Sequence, residues 1–172
     1  MLQAARGRPS HFNFATDVEQ IMYGVMGAGA VLLVACAILI GTSILKGARP
    51  ETGPGLRLGA GWGLILGGTG TLITAGVMSA GVMDAPGHRV GGIRSDAHGL
   101  PLTGWSTMGG DLRVPHFFAT HMMQALPLLG LLADRWTRRR ATRIVWIGAG
   151  LMSAAVVFTF VQAASGLPLL RL

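Results

Sequence analysis

The sequence predicts an all-α, polytopic membrane protein, four transmembrane helices in a single bundle with both chain termini extracytoplasmic. Three observations carry that prediction. Uncharged apolar stretches at residues 21–45, 58–83, 115–133 and 144–164 have or nearly have the length needed to cross a bilayer, because a helix rises about 1.5 Å per residue and the hydrocarbon core is about 30 Å thick. Of 172 residues, 51% are hydrophobic and only 12% charged, too few charges to coat a soluble domain. The charges themselves gather in the connections between the stretches.

Two connections hold the excess of basic residues. In loop 46–57, Lys46, Arg49 and Arg57 against Glu51 leave +2, and in loop 134–143, Arg135, Arg138, Arg139, Arg140 and Arg143 against Asp134 leave +4. The two terminal segments and the long loop 84–114 are nearly balanced. The positive-inside rule then sets both basic loops in the cytoplasm and the termini with loop 84–114 outside. The net charge of +7 and the pI near 11.5 are accordingly a topology signal, and no nucleic-acid partner is expected. Arg138, Arg139 and Arg140 are placed to touch anionic lipid headgroups.

The amino-terminal residues lack the apolar core of a secretory signal, so the first helix is expected to direct insertion. That helix, about 17–45, starts at a capping box. The Thr16 hydroxyl accepts from the Glu19 amide, and the Glu19 carboxylate returns to the Thr16 amide. It carries a small-residue face of Gly24, Gly27 and Ala28, and the lone cysteine, Cys36, reads as a small buried hydrophobe. The second helix, about 58–83, has Gly59, Gly63 and Gly67 at intervals of four, followed by Gly70. This is a packing groove that admits a neighbouring backbone and, in an assembly, would face a partner. A phosphate loop is disfavoured, since no strand precedes these glycines. The third helix, about 115–133, opens on Pro115, tolerated in a first turn, and Pro127 should kink it. The fourth, about 144–164, is apolar except for Thr159 and Gln162. Loop 84–114 is too short and too rich in Gly and Pro to make a second domain.

The chemistry-bearing residues cluster where the third helix begins. Asp111 and Arg113 fall just outside the membrane, His116 in the first turn and His121 about 9 Å into the helix. Residues five apart point about 140° away from each other, so His116 and His121 must serve different neighbours. Gln124 shares the face of His121 and is suited to hold its tautomer. Gln20, Tyr23, Ser79, Thr159 and Gln162 reach the same half of the bundle and are expected to converge on His121, because polar groups inside a membrane turn toward the interior. The bland reading is a histidine that bonds across helices for about 0.6 to 2 kcal/mol. For haem b, His121 needs a second axial ligand, either His11, His88 or His98 folding in from the loops, or Met78 or Met83. For a transition metal such as zinc, the candidate ligands are His116, His121, His88 and His98, with Asp111, although no HExxH-type spacing supports them. The broken, duplicated helices of a transporter are not evident.

Arg6, Gly7, Ser10, His11, Phe12 and Asn13 form an RGxxSHFN-like element, and Gly109, Gly110, Asp111, Leu112, Arg113, His116, Phe117 and His121 a GGDLRxxHFxxxH-like one. Over most of its length the chain resembles a family of uncharacterised bacterial integral membrane proteins that carry both elements around hydrophobic spans. The resemblance implies that the two polar elements belong together, and it attaches no activity to them. Members often carry further spans before the first element, so this chain is read as a short version or as one truncated at its start. The expectation is a multi-pass protein of the bacterial inner membrane. It would serve as an accessory or docking subunit of a larger membrane assembly rather than as an enzyme, with an outward-facing histidine site. The alternative is a haem- or metal-binding redox protein or enzyme using His116 and His121.

Overall fold

A computed structural model describes residues 2–8, 11–47, 51–83, 87–92 and 99–171. A short helix α1 (Leu2–Ala5) precedes four longer ones, α2 (Asp17–Lys46), α3 (Pro54–Ala80), α4 (Arg113–Thr137) and α5 (Ala141–Ala164). A 3₁₀ turn at Arg138–Arg140 joins the last two. The one sheet among the described residues is a two-residue antiparallel ladder of β1 (Arg89–Val90) and β2 (Gly110–Asp111). The class is all-α, with three apolar helical segments long enough to cross a membrane: Asp17–Lys46, Pro54–Ala80 and the continuous helical run Arg113–Ala164.

The helix ends follow from local chemistry. Thr16 caps α2, accepting from the Glu19 amide. The Glu19 carboxylate takes the Thr16 hydroxyl at 3.0 Å and the guanidinium of Arg8, with Arg6 at 3.8 Å. The reciprocal bond to the Thr16 amide is thereby replaced, because two nearby cations are stronger partners for a carboxylate than one amide. α3 starts four residues earlier than the apolar stretch suggests, with Pro54 in its first turn. It stops at Gly81, whose φ of 64° is a left-handed conformation that glycine adopts without strain. α4 runs through Pro127 and on past the apolar stretch to Thr137.

α3 is the centre of the bundle and is packed closely on two sides. On one side α4 lies antiparallel along the glycine ladder. A Cβ on Gly55 would come within 2.7 Å of the Gly130 carbonyl oxygen, on Gly63 within 3.1 Å of that of Met122, and on Gly67 within 2.8 Å of that of Ala119. Gly59 faces the Leu126 carbonyl more closely still. The groove is therefore filled by this chain's own α4 and does not face outward. On the other side α2 packs against Gly61 and Gly68, with Gly41 against the Gly61 carbonyl and Ile38 and Val34 against Gly68. α5 folds back along α4, burying Met122, Leu126 and Ala149 together with Leu129, Met152 and Val156.

α2 is the least covered helix. Residues 24–33 are exposed throughout, and nothing approaches Gly24, Gly27 or Gly29. Cys36 is also exposed, contrary to its reading as a buried hydrophobe, because only one side of α2 meets a neighbour. The described parts of both basic connections meet at one end of the bundle, where Asp134 of α4 accepts from the amides of Gly55 at 2.9 Å and Leu56 at 2.7 Å. The described parts of the amino-terminal segment and of the long loop sit at the other end.

Candidate functional site

The loop-bearing end is organised by a buried ion pair. Asp111 is 1% exposed, and its carboxylate receives Arg113 Nε at 3.0 Å, Arg113 Nη2 at 2.7 Å and the Ser106 amide at 2.9 Å. Arg113 also donates to the Gly104 carbonyl at 2.6 Å. A buried carboxylate demands several donors, and here they tie loop 99–111 to the start of α4. Gly110 sits hard against the Ala163 carbonyl, where no side chain fits. Beneath the loop, Met78, Val90, Leu112 and Ala163 form an apolar cluster, and Phe12 packs against it. Phe12 holds a positive φ of 52°, costly for a bulky residue, and its ring lies 5.8 Å from Tyr23 and 6.5 Å from His88. The two polar elements named from the sequence thus meet through Phe12 and Leu112.

His116 faces α3. Its Nδ1 lies 3.0 Å from Thr74 Oγ1, which is 2.9 Å from the Gly70 carbonyl oxygen. The hydroxyl has one hydrogen. With that hydrogen on the carbonyl, Nδ1 carries a proton and donates to Oγ1. One turn deeper, Thr120 donates to the His116 carbonyl at 2.8 Å and accepts from Thr71 at 3.1 Å. The result is a polar seam between α3 and α4.

His121 points the other way. Its Nδ1 is 2.8 Å from the Phe117 carbonyl oxygen, and since a carbonyl only accepts, Nδ1 is the donor of that bond. The ring rests against Phe117 at 3.9 Å, and Phe117 meets Trp105 of the loop at 5.3 Å. Gln124 is also exposed, its amide nitrogen oriented toward the Thr120 and His121 carbonyls at 2.9 and 3.2 Å. Between Phe117 and Leu131, the exposed residues of α4 are Phe117, His121, Gln124, Leu128 and Leu131. Their alternating spacing of four and three makes one continuous stripe.

The expected convergence on His121 is not what the helices produce. Tyr23 and Ser79 bond to each other at 2.8 Å, Thr159 bonds the Ala155 carbonyl of its own helix, Gln162 donates to Pro168, and Gln20 is exposed. The cause is rotational: α4 turns His116 inward and leaves His121 on the face away from its neighbours. Among the described residues no three His, Cys, Asp or Glu side chains group as metal ligands. His116 and His121 lie on opposite faces of α4, and both oxygens of Asp111 are engaged. His11 is an exposed residue beside Phe12, Met78 is part of the apolar cluster, and His98 lies outside the described residues. Sequence reasoning missed the Asp134 cap and the stripe on α4. The stripe's 4,3 spacing was present in the sequence, but exposure alone distinguishes it from the buried face. Comparison with known protein families, with curated proteins and with solved structures finds no match to this chain.

Proposed function

We propose that this chain is a four-span helical subunit of a bacterial inner-membrane assembly that docks a partner's helix along the exposed stripe of α4. The helical run Arg113–Ala164 is read as two spans because α5 folds back on α4, and loops 46–57 and 134–143 are read as cytoplasmic from their charge. The observation that carries the reading is the placement of His121 and Gln124 in the middle of that stripe. Two polar side chains on an outward face within a span are costly against lipid. The 4,3 spacing of Phe117, His121, Gln124, Leu128 and Leu131 is that of a helix-packing seam, in which a polar pair sets register and partner choice. The test is a pull-down from native membranes. His121→Leu combined with Gln124→Leu should abolish retention of defined partner chains while leaving the isolated chain as stable as before. Unchanged retention would sink the docking role.

The second reading, haem or metal binding, is favoured by one feature, the exposed His121 ring, held in orientation through its Nδ1 by the Phe117 carbonyl. Haem would show as a Soret band in the purified protein that His121→Ala removes.

A further inference from the structure

We infer that the Arg138–Arg140 turn is a binding surface for the phosphate headgroups of anionic phospholipid. The inference rests on the membrane reading above and concerns the opposite end of the bundle from the histidines. Within residues 135–143 stand Arg135, Arg138, Arg139, Arg140 and Arg143, all exposed. Among the described residues none of the five has a carboxylate partner. The acid next to them in sequence, Asp134, has its oxygens on the Gly55 and Leu56 amides, so its charge is spent on the positive end of α3 rather than on the arginines. Like charges crowded this closely repel one another unless anions gather on them.

Two features point to a lipid surface rather than a soluble phosphate. A 3₁₀ turn has about three residues per revolution, so successive side chains leave the Arg138–Arg140 backbone roughly 120° apart instead of from one side. The fan suits a layer of many phosphates, each able to take a bidentate guanidinium. Trp136, 76% exposed, and Trp146, 50% exposed, flank the turn, the latter against Trp62 at 5.3 Å. Indole rings favour the headgroup level of a bilayer, where their apolar body and polar N–H are both satisfied.

Native mass spectrometry of the detergent-purified full chain, titrated with phosphatidylglycerol or phosphatidylcholine, tests this. Wild-type protein should retain phosphatidylglycerol preferentially. Retention should fall about fivefold for Arg139→Gln and further for R138Q/R139Q/R140Q, at roughly 1 kcal/mol per arginine. The lysine triple R138K/R139K/R140K should keep part of the preference, with circular dichroism checking that each variant is folded. Equal retention of both lipids by wild type, or an unchanged preference in the folded glutamine triple, overturns the inference. So does displacement of the lipid by millimolar inorganic phosphate, which would make the ligand a soluble anion. Failure of the membrane reading itself looks different: the chain would be recovered from the aqueous fraction without detergent.

Discussion

Both oxygens of Asp134 accept from the first turn of α3, so one side chain joins two helices and supplies acceptors for amides that have no partner within α3. A carboxylate at such a site is worth about 1 to 2 kcal/mol. Asp134→Ala should lower the stability of the detergent-solubilised chain by that amount, read by thermal unfolding, and Asp134→Asn by less. The Thr74 hydroxyl plays a comparable part for His116. Thr74→Val should cost about 1 kcal/mol by removing the hydroxyl that His116 Nδ1 meets, whereas Thr74→Ser, which keeps the hydroxyl, should cost less. Equal stability of the Val and Ser variants would show that the seam contributes nothing. Neither contact was legible in sequence, since Asp134 and Gly55 are far apart in the chain and so are Thr74 and His116. What the sequence did contain was the opposed direction of His116 and His121, a consequence of helical rotation alone.

Along α3 the backbones of neighbouring helices come close. The Gly59 position is filled by the Leu126 carbonyl, a backbone atom that cannot swing aside. Gly59→Ala should therefore force α3 and α4 apart and cost about 1 to 3 kcal/mol, and Gly63→Leu should disrupt the pair more severely. Gly76 is the internal control. Nothing lies within 4 Å of a Cβ there, so Gly76→Ala should be neutral or stabilising by up to about 1 kcal/mol, the helix-propensity difference. If Gly59→Ala and Gly76→Ala unfold at the same temperature, the ladder is not a packing device. The interval of four marks these glycines as a face in the sequence, but the identity of the helix that fills it follows from the tertiary fold. α4 takes the ladder and α2 takes Gly61 and Gly68, so one helix rich in glycine serves two neighbours.

For the whole molecule, the two ends of the bundle differ in kind. One gathers lysine and arginine around a helix hairpin. The other carries a loop tied down by Asp111 and Arg113 and closed by Phe12. Arg113→Gln would leave the buried Asp111 carboxylate with fewer donors. Loop 99–111 should then become sensitive to limited proteolysis while the helices stay intact. An unaltered cleavage pattern would mean that Ser106 and the ladder suffice. Reporter fusions at the Arg138–Arg140 turn should register as cytoplasmic, and an external signal there would reverse the proposed sidedness.

By itself the sequence determined the helical class, the approximate limits of the apolar helical segments and the segregation of basic residues into two connections. Length, hydropathy and charge belong to contiguous residues and need no fold to be read. The tertiary structure alone decided which polar groups meet. It joined His116 to Thr74, turned His121 and Gln124 outward, exposed Cys36 and spent Asp134 on α3. Each of these depends on how one helix is rotated against another, and that rotation is set by side-chain volume at close backbone approach, a property no single segment carries.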